Sequence, residues 1–348
     1  MQQRILFINH PEGDYGGAFL YNGLCQTLGA ENVYDCPIKK SYHGQTHRYS
    51  IPAIENGCTC PFAWMPIGHT CAWESADLTK DETIAEAEEL LRHHFFSLVI
   101  VESLRQTSIE TLRKLLPAIK NSGIKIVIHD GEDYWNIDST LIAEFYPAAY
   151  LKRERPKGSA EVSKENGVLF MAFPFSAPIP FSPTALVKED IQYDVALMFG
   201  DTFKLRRDLV NEFRNSFDGK MYTAISSDSE HTQGLQQWED YLRVMATAHM
   251  GVSARGFGRD TCRYWEVPLV TAMLCDDVDL CIPFPFINGE TCFMYDSPKD
   301  AVDVVRKYAG TELCEMVYHS GLEHLRKHHT NKARVEYLFN VLKNEEIL

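Results

Sequence analysis

The interpretation of this chain starts from the stretch Gly251–Cys275, GVSARGFGRDTCRYWEVPLVTAMLC. A basic, glycine-containing loop leads to Arg259, Arg263 and Glu266, and the apolar run Val267–Leu274 follows. A buried apolar run cannot hold free charges, so the charges before it are expected at its mouth, where ligands bind in α/β sheets. Two arginines beside a loop glycine suit a diphosphate, and a carboxylate one turn later suits ribose hydroxyls. The stretch therefore predicts half of a nucleotide-sugar site.

Length and charge restrict the class of protein. The chain has 348 residues, which favours two domains, and its 45% hydrophobic and 24% charged residues are typical of globular proteins. A formal net charge of -14 makes nucleic acid an unexpected partner and argues against an anionic membrane surface. A local basic cleft lined by Arg255, Arg259 and Arg263 remains compatible with this charge.

Hydropathy and cysteine usage favour a cytoplasmic protein. No apolar run approaches the roughly 20 residues that a transmembrane segment needs. The amino-terminal stretch MQQRILFINHPEGD turns polar early, which indicates a strand rather than a signal peptide. The 10 cysteines show no regular pairing pattern, so reduced thiols are the simpler interpretation.

Apolar runs and helical periodicities alternate along the chain, which predicts parallel sheets. In the first half we expect strands at Arg4–Asn9, Ser97–Glu102 and Ile124–His129, and helices at Gly17–Leu28 and Ile109–Asn121 with Gly123 as a stop.

The segment Ala172–Pro183, AFPFSAPIPFSP, suits an ordered connection, after which the alternation restarts. We expect strands at Asp194–Phe199, Lys220–Ile225 and His249–Ala254, helices at Leu205–Ser216 and Trp238–Ala248, and a buried helix or turn-helix at Arg263–Leu274. The expected fold class is α/β, with two Rossmann-like lobes that face a central cleft.

A first loop expected at this cleft is Pro11–Gly17, PEGDYGG. The glycines Gly16 and Gly17 would let backbone N–H groups approach a ligand at a helix amino terminus, with Asp14 beside them. The alternative is a tight turn that Asp14 caps.

A second loop is His129–Tyr134, HDGEDY, with four ionisable groups in its first five residues. Closely spaced carboxylates raise one another's pKa, which can create a general base near neutral pH. His129, Asp130 and Asp133 are the candidates for that base. The alternative is a solvated acidic turn that caps the next helix.

A third loop is Gly200–Arg207, GDTFKLRR. Gly200 followed by Lys204 and Arg206 at the start of a helix offers a helix dipole and cations for phosphate oxygens. The alternative is a helix whose basic residues lie on its wet face, paired with Asp208 and Glu212.

The chain resembles the GT-B glycosyltransferases, in particular the group related to the spore maturation protein CgeB and the glycosyl transferase group 1 family. The resemblance covers most of the chain and is firmest from Asp194 to Phe339. In chain order, the segments that carry it are HDGEDY, AYLKRERP, DVALMFGDTFKLRRDLV, GFGRDTCRYWE, INGETCFMYDSPKDAVDVV and SGLEHLRKHHTNKARVEYLF.

The resemblance implies a role for individual residues. Glu266 matches the acidic residue that holds the donor ribose, Arg263 precedes it in the RxxE pattern, and Arg259 lies where a cation meets the diphosphate. Arg206 matches the basic position after the first strand of this lobe. Gly258 occupies the position where many retaining members carry a second glutamate.

The resemblance also implies a domain organisation. We expect an acceptor lobe at residues 1–180, a nucleotide-sugar lobe at 181–332, and a closing helix at 333–348 that returns toward the first lobe.

The implied activity is transfer of a sugar from a UDP-, GDP-, ADP- or dTDP-linked donor to a glycan, small-molecule or protein acceptor. The chain has cations for the leaving diphosphate and no clear DxD pair outside Ser227–Ser229, so we expect a metal-independent reaction without a cofactor. Inversion and retention both remain open.

Cys58, Cys60, His69 and Cys71 form a different constellation, in GCTCPFAWMPIGHTC. Their side chains suit tetrahedral zinc, although the C-x-C and H-x-C spacing is less common than two C-x-x-C pairs. The alternative is that the cysteines are core residues.

Two alternatives to the transferase stay open: a non-catalytic GT-B relative that binds a nucleotide or sugar as an assembly partner, and a nucleotide-sugar epimerase on the same fold. A transferase that acts on modified DNA is also possible within the enzyme class, although the acidic net charge argues against duplex binding. The basic loops and the HDGEDY turn favour the transferase.

Overall fold

The computed structural model describes residues 3–11, 14–43, 71–74, 77–178, 190–201, 203–225 and 238–348. They form two compact units. The first unit comprises Met1–Pro174, Cys281–Pro283 and Asn331–Leu348, and the second comprises Phe175–Leu280 and Phe284–Thr330. The expected boundary at residue 180 falls outside the described residues, and the expected domain limits stay predictions.

The first unit is built on a seven-stranded sheet in the order β2-β1-β3-β4-β5-β7-β6, with all pairs parallel except β6–β7. Its strands are β1 (Ile5–Ile8), β2 (Val33–Cys36), β3 (Leu98–Val101), β4 (Ile126–Asp130), β5 (Ala149–Lys152), β6 (Val162–Glu165) and β7 (Val168–Ala172). Its helices are α1 (Tyr15–Leu28), α2 (Lys80–Arg92), α3 (Gln106–Ser122), α4 (Ser139–Phe145) and, from the carboxy-terminal segment, α10 (Asn331–Asn344).

Burial explains why these strands lie in a covered parallel sheet. All four residues of β1 and of β3 are buried, as expected for strands with helices on both faces. The helix α3 ends at Gly123, whose φ of 70° suits glycine. The helix α10 packs on α1, where the Asn331 side chain donates a hydrogen bond to Asn22 (2.9 Å).

The second unit is built on a five-stranded, wholly parallel sheet in the order β12-β11-β10-β8-β9. Its strands are β8 (Tyr193–Phe199), β9 (Met221–Ile225), β10 (Ala248–Ser253), β11 (Ala272–Asp276) and β12 (Phe293–Tyr295). Its helices are α5 (Lys204–Ser216), α6 (Trp238–Ala246), α7 (Cys262–Glu266), α8 (Pro298–Tyr308) and α9 (Glu312–His328).

The α/β class and the two Rossmann-like units are confirmed. In each sheet the strand order reverses next to the first strand of the unit, because β1 lies between β2 and β3, and β8 lies between β9 and β10. Such a reversal is a topological switch point, and ligands of open α/β sheets bind outside the carboxyl ends of its strands. No helix of the described part is long and apolar enough to cross a membrane.

The expectation of a buried helix or turn-helix at Arg263–Leu274 is wrong for its last part, which is a strand from Ala272 onward. The segment divides into the end of α7, a 3₁₀ turn at Val267–Leu269 and the strand β11. The strand β11 lies between β10 and β12 and is buried throughout, so its residues are apolar without alternation. Such a run has the same sequence pattern as a buried helix. Arg263 and Glu266 therefore lie on a short helix, α7, that follows the carboxyl end of β10.

Candidate functional site

A buried guanidinium spans the switch point of the second sheet. Arg206, in the first turn of α5, is 5% exposed. It donates hydrogen bonds to the carbonyl oxygens of Gly200 (3.1 Å), Ala254 (3.1 and 2.9 Å) and Arg255 (3.2 Å). Gly200 follows β8, and the other two residues follow β10, so the side chain ties together the two strand ends that border the switch point.

Backbone carbonyl oxygens hold the Arg206 guanidinium in position. Burial and the neighbouring Arg263 lower the pKa of Arg206 to about 10, so the guanidinium stays protonated at neutral pH. Its donors point at backbone oxygens here. Its expected role as a phosphate ligand stays a prediction, and in this structure Arg206 shapes the loops beside the strand ends.

A buried carboxyl lies on the same edge. Asp276, the last residue of β11, accepts a hydrogen bond from the Arg255 backbone N–H (3.1 Å), and the Arg255 Nε lies 3.8 Å from its other oxygen. Burial raises the pKa of Asp276 to about 6, against the opposing effect of these neighbours. The edge therefore carries a carboxyl group that titrates near neutral pH.

The helix α7 places Glu266 and Arg263 beside a buried tyrosine. Glu266 is 8% exposed, and the Arg263 Nε donates a hydrogen bond to the carbonyl oxygen of Met198. The Arg263 guanidinium lies 5.9 Å from the centre of the Tyr241 ring. Burial and the nearby Glu266 charge raise the pKa of Tyr241.

The hydroxyl of Tyr241, a residue of α6, is buried and finds no hydrogen-bond partner in the structure described. An unsatisfied buried hydroxyl is costly in a folded protein, and a missing ligand is one of its ordinary explanations. It marks this spot as a place where a polar ligand group would complete the site.

The remaining expected cations of this unit lie in ion pairs. Lys204 is 79% exposed and pairs with Asp208 (2.5 Å), which is the helical pairing considered as the alternative. Arg259 pairs with Asp279 (2.7 Å). The exposed Lys204 pair contributes little stability, about 1 kcal/mol at most, so a ligand anion could exchange for its carboxylate.

The switch point of the first sheet holds a buried carboxylate. Glu102, directly after β3, is fully buried. It accepts hydrogen bonds from the His10 backbone N–H (3.1 Å) and the Tyr42 hydroxyl (3.2 Å). The His10 Nε2 and the Lys39 Nζ lie 3.2 and 3.7 Å from it. Burial raises the pKa of Glu102, and the nearby Lys39 and His10 oppose the shift.

Two further groups at the end of β1 complete this cluster. Asn9 is 1% exposed, and both polar atoms of its amide are without a hydrogen-bond partner in the residues that are described. Asp14 caps α1 by accepting the Gly17 N–H (2.9 Å), so the capping alternative for this loop is what the structure shows. The Gly17 N–H, which donates to Asp14, and the His10 ring, whose Nε2 lies 3.9 Å from it, outweigh burial and hold the pKa of Asp14 below its usual range.

Gly17 has a packing role. A Cβ at this position would lie 2.4 Å from the Glu102 Oε2, so only glycine lets the carboxylate approach the first turn of α1. Gly16 is buried in the same turn. Residues 12 and 13 of the PEGDYGG loop lie outside the described residues, and ligand binding by Asp14, Gly16 and Gly17 stays a prediction.

Of the three predicted bases, His129 has the protonation state that best suits a base. It is 1% exposed, and its Nδ1 donates a hydrogen bond to the Glu102 carbonyl oxygen (2.7 Å). Because a carbonyl only accepts, Nδ1 carries the proton and Nε2 keeps its lone pair. Burial lowers the pKa of His129, which keeps the ring neutral at neutral pH.

The two predicted aspartates are each bound to a cation. Asp130 is 1% exposed and contacts the Lys152 Nζ (2.9 Å) and the Tyr150 hydroxyl (2.6 Å). Asp133 pairs with Arg153. The Asp130 ion pair is buried, so proton uptake by this carboxylate would leave the Lys152 charge without compensation.

A cavity of about 380 Å³ opens beside these residues. It is lined by Leu104 and by side chains of the segment 130–139, which follows β4 and includes the start of α4. All of its lining residues belong to the first unit.

Most of the predicted zinc constellation lies outside the described residues. Cys58, Cys60 and His69 lie outside the described residues, as does Ser227–Ser229, while Cys71 is a partly buried free thiol. Within the described ranges no three His, Cys, Asp or Glu side chains are placed to hold a metal ion.

Sequence reasoning missed most of the buried polar residues of both switch points. The sequence does contain a signal for them, which is a polar residue at the end of an apolar run. Asn9 and His10 end ILFINH, Glu102 ends LVIVE, and Asp276 ends MLCD. A polar residue directly after a buried parallel strand lies at the edge where ligands bind. Nothing in the local sequence marks Tyr241.

Comparison with known proteins gives similarities in structure only. No protein-family model matches the chain, and no curated protein matches it significantly. The structure is similar to α,α-trehalose 6-phosphate synthase from Burkholderia multivorans, with 9% identity, 99% of each chain covered and a TM-score of 0.49. It is also similar to MurG from Acinetobacter baumannii, with 10% identity, 98% of this chain and 99% of the other covered, and a TM-score of 0.44. Similarities this low assign neither an activity nor a ligand.

The hydrogen bonds that Arg206 donates to backbone carbonyl oxygens predict that its replacement destabilises the fold. A lysine at this position cannot reach all three carbonyl oxygens, so Arg206→Lys should lower the free energy of unfolding by about 2–4 kcal/mol. The adjacent Arg207→Lys is the matched control, because Arg207 is 60% exposed and paired with Asp201. It should change stability by less than about 0.5 kcal/mol. Denaturant unfolding measures both, and equal effects would contradict the role of Arg206.

The raised pKa of Asp276 predicts a pH-dependent stability. The folded state holds this proton more tightly than the unfolded state does, so ionisation costs stability as the pH rises from about 4 to about 6. Relative to Asp276→Asn, the wild type should lose up to about 3 kcal/mol over this range and nothing further above it. Unfolding free energies of both proteins at several pH values test this. A difference that does not change with pH would rule out the shift.

Proposed function

We propose that this chain is a glycosyltransferase that moves a sugar from a nucleotide-activated donor to an acceptor hydroxyl. The observation that supports it most is the convergence of Glu266, Arg263 and the unsatisfied hydroxyl of Tyr241 at the switch point of the second sheet. A carboxylate, a cation and a polar group without a partner suit a nucleotide, which presents ribose hydroxyls, a diphosphate and a base.

In this proposal, different residues of the second unit bind different chemical groups of the donor. Glu266 accepts hydrogen bonds from the ribose hydroxyls, and Tyr241 supplies the buried polar contact. Arg263 and Arg259 offset the negative charge that develops on the leaving diphosphate, which is the usual role of cations in such a transition state. Arg206 holds the loops in position. Side-chain cations in these places support a metal-independent transfer without a cofactor.

The first unit supplies the base for an inverting transfer. His129 is neutral, and its Nε2 has no hydrogen-bond partner in the described structure, so it can accept the proton of an acceptor hydroxyl. Asp130 and Asp133 are less suited, since each already neutralises a cation.

The non-catalytic relative and the epimerase differ from this proposal in testable ways. A non-catalytic relative would bind the nucleotide sugar without cleaving the bond between the nucleotide and the sugar. An epimerase changes the sugar while it is attached to the nucleotide or releases it without an acceptor. The nucleotide site is common to all of them, so binding is tested first and transfer second.

The first test uses Glu266→Gln, which keeps the size of the side chain and removes its charge. We expect one of UDP, GDP, ADP, CMP and dTDP to raise the melting temperature of the wild type, with or without EDTA, because it binds the native state. Calorimetry should show the variant binding that nucleotide about 10- to 100-fold more weakly. The control Glu290→Gln changes an exposed glutamate of the same unit and should bind normally. Equal affinity in Glu266→Gln would refute the donor site.

The second test addresses the base. His129→Gln should slow release of the nucleoside diphosphate from its sugar donor by about 100-fold or more, with water or a screened sugar as acceptor. Donor affinity should not change. Because burial lowers the pKa of His129, the loss of wild-type activity on acidification should have its midpoint below pH 6.5, the usual value for histidine.

Asp133→Asn serves as the comparison for the base, since Asp133 is the most exposed of the three candidates. It should keep most of the wild-type rate. The base assignment is wrong if Asp133→Asn loses activity and His129→Gln keeps it.

A further inference from the structure

We propose that the cavity beside the HDGEDY segment is a sugar subsite, and that it selects a neutral or amine-bearing sugar over a phosphorylated one. The assignment of a sugar follows from the cavity itself. Only the identification of that sugar as the acceptor rests on the proposed function.

The cavity offers polar groups that the protein leaves unused. Neither the carboxylate of Glu132 nor the side chains of Asn136 and Ser139 have a hydrogen-bond partner among the residues that the structure describes, and all three line the cavity. A carboxylate accepts hydrogen bonds at two oxygens, an amide both donates and accepts, and a hydroxyl does both. Neighbouring hydroxyls of a sugar ring provide the complementary donors and acceptors.

Apolar surface lies next to these polar groups. Tyr134 is 56% exposed and Ile137 is 41% exposed, and both line the cavity. Trp135, between them in sequence, is 43% exposed. Large apolar side chains that stay exposed beside a concave polar site mark ligand-binding surfaces. An aromatic ring offers a flat apolar face, against which the C–H face of a pyranose ring can pack.

The charge of the lining residues restricts which sugars the cavity can bind. The carboxylates in the lining are Asp130, Glu132 and Asp138, and no Lys, Arg or His occurs among the lining residues described. The Lys152 ion pair compensates Asp130, and the Asp138 Oδ1 accepts the Leu141 N–H at the start of α4.

Glu132 and Asp138 therefore leave a net negative field in the cavity. A phosphate group carries a charge of about -1.5 to -2 at neutral pH and would be repelled there. Hydroxyl groups and a protonated amine would be attracted. The volume of about 380 Å³ falls near the lower end of the range for small-molecule sites, which suits a single sugar unit.

The experiment compares glucose, glucosamine and glucose 6-phosphate as probes of the full-length protein, by saturation-transfer NMR and by titration at millimolar concentrations. We expect glucose and glucosamine to bind, with glucose 6-phosphate at least about tenfold weaker than glucosamine. Saturation should reach the C–H protons of the bound ring from the aromatic side chains, and Tyr134→Ala should reduce it.

Charge reversal tests the selectivity directly. Glu132→Lys should weaken glucosamine binding by about tenfold or more and strengthen glucose 6-phosphate binding. Glu165→Lys is the matched control, because it makes the same change at an exposed glutamate of β6, outside the cavity. It should leave both affinities as in the wild type. Far-ultraviolet circular dichroism confirms that each variant is folded.

The result that would overturn the inference is glucose 6-phosphate binding as tightly as glucosamine, or sugar binding that Glu132→Lys does not alter. Failure of the proposed function looks different. A nucleotide that binds while no sugar does would refute the subsite and leave the donor site standing. Sugars that bind with the expected selectivity while no nucleotide binds would refute the transferase and leave the subsite standing.

Discussion

The second unit depends on one buried guanidinium. A parallel sheet ends in carbonyl groups that its own strands cannot satisfy, and at a switch point the helices that follow neighbouring strands diverge. Arg206 resolves this by donating to carbonyl oxygens that follow β8 and β10. A buried charge is tolerated when its donors are satisfied, and here they are satisfied by backbone. The loops that carry Arg255 and lead to α7 take their position from this contact.

In the first unit a buried carboxylate, instead of a guanidinium, connects the strand ends at the switch point. Glu102 follows β3 and accepts hydrogen bonds from His10, which follows β1, and from Tyr42. Gly17 allows the carboxylate to approach the amino terminus of α1, where the helix dipole favours negative charge. The backbone carbonyl of Glu102 also fixes the tautomer of His129. The protonation state of the proposed base is thus a consequence of how the switch point is packed.

The sequence predicted the alternation of strands and helices because buried strands and amphipathic helices leave different periods. It assigned Ala272–Leu274 to a helix or turn-helix although these residues begin β11, since a strand buried on both faces has no alternation that distinguishes it. Arg263 and Glu266 were predicted as site residues because they lie close together in one motif. The pairing of Glu102 with His10 spans 92 residues, and only the fold brings such partners together. The orphaned hydroxyl of Tyr241 is likewise a property of packing, which no local pattern records.

The central claim is that a nucleotide binds at the switch point of the second sheet. Hydrogen–deuterium exchange of the wild type, with and without a saturating nucleoside diphosphate from the series UDP, GDP, ADP and dTDP, tests it most directly. A bound nucleotide should slow exchange in residues 200–206 and 254–266, which include the proposed donor residues Arg259, Arg263 and Glu266. Protection confined to other parts of the chain, or none with any of these nucleotides, would contradict it.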